Sequence, residues 1–243
     1  MKKSSSALEP FGRALLSCWR GNKTATLIQE YRTGQKKSLP VSVFFRTHND
    51  FFPTENAFGY CRGRILVVGA GTGIHALELE KRGYEVTAID ICPQAVQIMR
   101  ERGIKDVRQQ DFQTFGGETY DTILMLGQNI GMCETLIGIN GLLQRCEMLL
   151  RPDGRLLLNS FGEPDDPDAP NRLHYPGELE FRLCYDGTIG PWMRWLHVDV
   201  DTLRLHALEC GWSTEKLIGT EDGYFLAGLK PNLKSAQPLA PGI

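Results

Sequence analysis

A chain of 243 residues, 42% hydrophobic and 23% charged, can bury one sizeable core, as one large domain or a domain with a small annex. A formal net charge of -2 gives no polycationic surface, so nucleic acid held by phosphate neutralisation is not an expected partner. The N-terminal MKKSSSALEPFGRALLSCWR lacks the apolar stretch of a signal peptide, and no run of about 18 apolar residues predicts a membrane span. The cysteines (Cys18, Cys61, Cys92, Cys133, Cys146, Cys184, Cys210) are odd in number and never spaced as CxxC, which predicts buried reduced thiols in a cytoplasmic protein.

Residues from about Ala7 to Trp19 have helical apolar spacing, and Gly21-Asn22 is the stop signal. TATLIQEY reads as a strand, RTGQKKSLP as a turn-rich link and VSVFF as a second extended piece. TENAFGYC, after Pro53, reads as a short helix with proline in its first turn. From Arg64 the pattern alternates. RILVV is a strand covered on both faces, IHALELEKRG a helix, EVTAI a strand, and PQAVQIMRERG a helix opened by proline and closed by glycine. DVRQQ and DTILML are further strands, Thr135–Leu150 is a long helical stretch, RPDG a turn and RLLLNS another strand. Alternation of this kind implies an α/β fold with a parallel sheet and helices on both faces.

Beyond Ser160, FGEPDDPDAPN is a polar, proline-rich loop, and ELEFRLCY and PWMRWLHV flank DGTIG as an antiparallel hairpin. DTLRLHALECGW is a helix capped by Asp199 or Asp201; STEKLIGT and YFLAGLK form a second hairpin, and a polar tail follows.

The stretch VVGAGTGIHALELEKRGYEVTAID carries the chemistry. Gly69, Gly71 and Gly73 form a turn that lets a ligand lie against bare backbone. A dinucleotide fingerprint wants glycine where Ile74 stands, and a phosphate-binding loop wants GKS or GKT. Asp90 ends the second strand, at the carboxyl edge beside the turn, where a carboxylate can accept from both hydroxyls of a ribose.

With AID, QQDF, YDTILML and LLRPDGRLLLNS in order after VVGAGTG, residues 64–160 resemble the class I S-adenosylmethionine-dependent methyltransferases. The resemblance implies a Rossmann-like, seven-stranded, mostly parallel sheet ending in an antiparallel hairpin. It implies S-adenosylmethionine as cofactor, held by Gly69, Ala70, Gly71, Thr72 and Gly73 under the methionine and ribose. Asp90 would take the ribose and Ile91 the adjoining apolar contact. Asp111 and Phe112 would flank the adenine, and Leu126 and Gly127 would stand at the strand end where the methyl group is presented, with Gln128 and Asn129, a further cofactor contact, just beyond. The N-terminal pattern and GPWMRWLHV also resemble a bacterial subgroup acting on small molecules, which would put Phe44, Phe45 and Arg46 over the cofactor, Arg46 near its methionine carboxylate. Residues 1–60 are then a helix/hairpin cap, 61–230 the methyltransferase domain with an inserted loop and hairpin at 161–198 near the active-site edge, and 231–243 a flexible tail. The sequence is compatible with a homodimer.

The partner so implied is a small-molecule methyl acceptor. Methyl transfer from a sulfonium needs placement above all, and no metal; the acidic EPDDPD run reads as a solvated loop. A general base is required only for a hydroxyl or protonated amine, and the candidates are His48, Tyr60, His197 and Asp186. His75 reads as a packing or capping residue, and Trp192, Met193 and Trp195 as core packing that could also wall an apolar substrate. GQNIG after the fourth strand is not the (N/D)PP(Y/F) of amino-methylating enzymes for nucleic acids. A cofactor-binding sensor or scaffold without catalysis is the alternative. An NAD(P)-dependent oxidoreductase is disfavoured by Ile74 and by the lack of a Tyr-x-x-x-Lys pair.

Overall fold

Hydrophobic period sets the elements of the computed structural model, which describes residues 6–50, 53–162 and 175–232. The N-terminal helix α1 spans Glu9–Trp19 and buries Ala14, Leu15 and Cys18. Strand β1 (Thr26–Tyr31) turns tightly into β2 (Lys36–Pro40), with Gly34 in the left-handed region at φ 86°. This corrects the sequence reading: KKSLP is the second strand, and VSVFF is a 3-10 helix, Val41–Phe45. The left-handed glycine closes the hairpin early, so the partner strand is used up at Pro40. A second 3-10 turn, His48–Asp50, leads to α2 (Thr54–Tyr60), with Pro53 at its cap rather than in its first turn.

The core follows the predicted alternation: β3 (Arg64–Val68), α3 (Ile74–Lys81), β4 (Glu85–Asp90), α4 (Pro93–Glu101), β5 (Val107–Gln109) and β6 (Tyr120–Met125). After a 3-10 helix, Asn129–Cys133, come α5 (Gly138–Leu149) and β7 (Leu150–Phe161). The helix begins three residues later than expected, at Gly138, whose Cβ position is filled by the Cys133 carbonyl. RPDG is both turn and strand: the register passes from Tyr120↔Leu150 to Thr122↔Arg155, so a bulge absorbs the turn within β7, with Asp153 at φ 63°.

Strands β8 (Glu178–Tyr185), β9 (Thr188–Ile189) and β10 (Met193–Leu196) precede α6 (Val200–Glu209), β11 (Trp212–Gly219) and β12 (Tyr224–Pro231). Asp199 is the cap of α6: its Oδ1 accepts from the Asp201 and Thr202 amides, both at 2.9 Å. The proline-rich loop with its acidic run and the polar tail, expected at 161–171 and 231–243, lie outside the described residues apart from their first two positions.

The seven-stranded sheet has the order β11-β12-β7-β6-β3-β4-β5, parallel from β7 through β5 and antiparallel at β12 and β11, as the class I resemblance implies. Strand alternation sends Leu66 and Val68 to the face with Leu142 and Leu203, and Ile65 and Val67 to the face with Phe58, Leu79 and Met99. Both faces are dry, which is why RILVV carries no polar residue after Arg64.

A second sheet, order β10-β8-β1-β2, joins the N-terminal hairpin to the inserted one. β1 pairs with β8 from Ile28↔Cys184 to Tyr31↔Phe181, and Glu30–Arg182 and Arg32–Glu180 ion pairs at 3.0 and 2.9 Å lie along the seam. The two segments expected as separate additions are therefore one structural unit. Its contacts with the core include α1 against α4 through Leu15, Cys18, Ala95 and Ile98, and β10 against the 3-10 helix Asn129–Cys133. All seven cysteines are free thiols; burial raises Cys61 to about 12 and Cys92 to about 11. Among the described residues no helix is long and apolar enough to cross a membrane.

Candidate cofactor site

The carboxyl ends of β3, β4 and β6 carry three of the predicted groups: the glycine turn, Asp90 with Ile91, and Leu126 to Asn129. After Val68 the chain turns through Gly69 (φ 62°), Gly71 (φ 56°) and Gly73 (φ 80°), conformations that cost an L side chain roughly 1–2 kcal/mol each. The three glycines have different neighbours. A Cβ on Gly69 would lie 2.6 Å from Asn129 Nδ2, and one on Gly73 would lie 2.9 Å from Met99 Cγ and collide with Ile104. A Cβ on Gly71 would meet nothing within 4 Å. Backbone at Gly71 thus faces open space, while its neighbours are packed from below.

Asp90 closes the turn. Its Oδ2 accepts from the Gly71 amide and its Oδ1 from the Cys92 amide, both at 2.8 Å, and the Ile91 amide also serves it. The residue is only 8% exposed. Burial raises its pKa, against the opposing pull of the Cys92, Gly71 and Ile91 amides. A buried carboxylate with only backbone donors keeps lone pairs for further donors, which a ribose diol would supply. A turn with one open glycine beside such an acid fits S-adenosylmethionine.

Asp111 caps its own loop, accepting from the Gln113 amide at 2.9 Å, and Phe112 is 4% exposed, packed among Phe115, Leu142 and Leu143. Leu126 is buried and Gly127, at φ 77°, is exposed. Gln128 is also left-handed (φ 62°), its amide held by Asn159 Oδ1 at 3.2 Å. Asn129 turns inward: Nδ2 donates to the Val68 and Gly69 carbonyls, both at 2.9 Å.

Sequence reasoning missed what braces Thr72. Its hydroxyl donates to the Phe44 carbonyl, and Arg102 Nη1 donates to its carbonyl at 2.7 Å and to Oγ1 at 3.3 Å. Nothing in the sequence marks Arg102, which reads as a helix-end arginine. Phe44 packs edge-on to Phe11 at 5.0 Å and Phe45 stacks on Trp19 at 5.9 Å. Arg46 follows them, exposed.

The base candidates scatter. His48 is placed between Glu55 and Glu78, 3.6 Å from each, and beside Phe58, so it pins the 48–50 turn onto α2 and α3. Tyr60 lies at the amino edge of the sheet. It ends α2 four residues before β3 begins, and the strand's five residues put about 16 Å between that edge and the glycine turn. Asp186 (φ 46°) is a turn residue between β8 and β9. His75 meets Thr54 Oγ1 at 3.3 Å, and burial lowers its pKa to about 4.

His197, 8% exposed, stacks on Phe161 at 4.3 Å; Phe161 in turn meets Tyr224 at 4.6 Å, at the carboxyl end of β7. Burial, with the Lys37 charge, lowers the His197 pKa to about 4. The folded value lies below the ordinary 6.5, so the unfolded chain binds the extra proton between those limits. Stability should therefore be complete above pH 6.5 and fall toward pH 4, with a His197 slope of up to about 1.4 kcal/mol per pH unit. Urea unfolding at several pH values checks this, and His197→Gln should flatten the slope.

An α/β sheet of this order, with a three-glycine turn and a strand-end acid bonded to it, defines a class I methyltransferase architecture. The comparisons agree. Residues 66–158 match a family described as a methyltransferase domain. A Bacteroides fragilis S-adenosylmethionine-dependent methyltransferase, solved with S-adenosylhomocysteine, is 33% identical. The match covers 94% of this chain and 97% of that one, with a TM-score of 0.85. The chain belongs to the S-adenosylmethionine-dependent methyltransferases.

Among curated proteins, a ubiquinone biosynthesis O-methyltransferase of Xanthomonas euvesicatoria pv. vesicatoria (strain 85-10) is 30% identical over 105 residues, 40% of this chain and 42% of that protein. A demethylmenaquinone methyltransferase of Tropheryma whipplei (strain Twist) is 32% identical over 112 residues, 44% of this chain and 45% of that protein. The chain thus spans less than half the length of these curated relatives.

Proposed function

We propose that the protein transfers a methyl group from S-adenosylmethionine to a small-molecule acceptor that presents an apolar ring. The observation that carries the reading is the Asp90 carboxylate bonded to the Gly71 amide at 2.8 Å, beside the one glycine of the turn whose Cβ position is open. Asp90 would take the ribose hydroxyls, the Gly69–Gly73 backbone the methionine end, Ile91, Asp111 and Phe112 the adenine, and Arg46 the methionine carboxylate. Leu126, Gly127 and the 3-10 helix beginning at Asn129 would border the reacting centre. The bound cofactor would supply a methyl group on a positively charged sulfur.

The chain's own contribution is placement, which is worth roughly 7–11 kcal/mol when two reactants are held in near-attack geometry. The second sheet supports an apolar acceptor. Its inward residues Phe181, Leu183, Met193 and Trp195, with Phe44 and Phe45, form one apolar cluster at the side of the core where β10 meets the Asn129–Cys133 helix. The curated relatives, one named for ubiquinone biosynthesis and the other for demethylmenaquinone, support acceptors of the same character.

Calorimetry with S-adenosylmethionine, S-adenosylhomocysteine and NAD, followed by a methyl-transfer screen over hydroxylated quinone precursors and amino sugars, tests the proposal. Micromolar binding of the first two and transfer to a ring acceptor are expected. Binding of NAD alone would overturn it, and binding without transfer to any acceptor would make the protein a cofactor sensor.

A further inference from the structure

The loop that follows β6 is fastened to the glycine turn by one side chain. Asn129 has two amide hydrogens, and the structure spends both on adjacent carbonyls, Val68 and Gly69, at 2.9 Å each. The amide lies where a Cβ of Gly69 would be, 2.6 Å from that position, so Gly69 and Asn129 are fitted to each other. Two carbonyls at the end of β3, past the last pairing of that strand with β6, thereby accept from a side chain.

The other end of the same 3-10 helix is fastened as well. Gly131 is buried, and a Cβ there would fall inside the Trp195 indole, against Cε2 and Nε1. Trp195 belongs to β10, paired with β8 through Trp195↔Leu179. A continuous line of contacts thus runs from the second sheet, through Trp195 and Gly131, to Asn129 and the cofactor turn. Gln128, held left-handed at φ 62° by the Asn159 contact, fixes the start of the helix. With both ends held, a displacement at Gly131 has little room to relax except along the helix toward Asn129.

We propose that Asn129 is a positioning residue that sets the conformation of the cofactor turn, and that the seat of Trp195 on Gly131 sets Asn129. The second sheet then acts on the cofactor through this helix, so that the acceptor side and the cofactor side of the reaction share one rigid link. The inference rests on the cofactor reading above and moves Asn129 from a ligand contact to a brace behind the ligand.

The test pairs a clash with its relief. Gly131→Ala forces the indole and the helix apart, at a residue with ordinary backbone angles that tolerates alanine. S-adenosylhomocysteine affinity, measured by calorimetry, should fall about tenfold, and adding Trp195→Ala should return it to within about threefold of the parent. Hydrogen exchange of the Gly69–Thr72 amides reads the same brace without any ligand: faster in Gly131→Ala, restored in the double variant. Asn129→Asp should speed it as well, because a carboxylate cannot donate to two carbonyls.

A Gly131→Ala protein that keeps parental affinity and exchange overturns the proposal, as does a double variant no better than the single. Failure of the parent itself to bind S-adenosylhomocysteine would instead sink the cofactor reading, with the exchange result still deciding the brace.

Discussion

Asp90→Asn should weaken S-adenosylhomocysteine binding by about 1–3 kcal/mol, roughly five- to 150-fold, because a charged acceptor for two hydroxyls becomes a neutral amide with one acceptor oxygen. The amide also turns a donor toward either the Gly71 or the Cys92 amide, where the carboxylate oxygens now accept at 2.8 Å. The unliganded protein should lose little, within about 1 kcal/mol, since removal of a buried charge offsets the lost hydrogen bond. Binding and stability thus separate in this variant.

The pH dependence is a sharper test. Burial raises the Asp90 pKa above 3.8, so the folded carboxyl keeps its proton to higher pH than the unfolded one. Its contribution to the stability of the unliganded fold is complete below the unfolded value and lost as pH rises through the folded value. Ligand binding runs the other way, because the ribose hydroxyls need the deprotonated acceptor. Affinity should therefore decline on acidification at a pH above the usual aspartate range, and Asp90→Asn should lack that decline. His75 and His197 titrate in both proteins, so the difference between the two profiles isolates Asp90. Parallel profiles would remove Asp90 from the binding site.

What could be read in the sequence was what the chain keeps local. The strand–turn–helix–strand–acid order from Val67 to Asp90 spans 24 residues, and its geometry follows from covalent connection: a parallel neighbour must carry Asp90 to the edge where the glycine turn lies. The second sheet could not be read that way. β1 and β8 pair across about 150 positions, and neither strand's pattern names its partner. VSVFF has the composition of a strand, yet the hairpin had already closed on KKSLP, whose lysines alternate too little to show it. Arg102 bracing Thr72 and Trp195 seated on Gly131 are likewise tertiary contacts with no local signature. His48 looked like a catalytic candidate because its neighbours FFR suggested a cover; the carboxylates that claim it, Glu55 and Glu78, lie on two different helices.

Gly73→Ala and Gly71→Ala should fail in opposite ways, although the residues are two apart in one turn. At Gly73 the new methyl meets Met99 Cγ at 2.9 Å and collides with Ile104, in a core where Met99 is fully buried, and φ is 80°. Overpacking of about 1–3 kcal/mol adds to left-handed strain of about 1–2 kcal/mol, so a stability loss of about 3 kcal/mol is expected. That is a large share of a typical domain's stability, and thermal melting of the unliganded protein reads it. At Gly71 only the strain remains, because no atom lies within 4 Å of the added carbon. Melting should shift by the equivalent of about 1 kcal/mol, while S-adenosylhomocysteine affinity should collapse by about two orders of magnitude as the methyl fills the space left for a ligand. A Gly71→Ala protein that binds like the parent would mean the open side of the turn faces bulk water rather than the cofactor. The pair therefore separates what the three glycines do: Gly73 lets α3 approach α4 and the sheet, and Gly71 leaves room above the backbone.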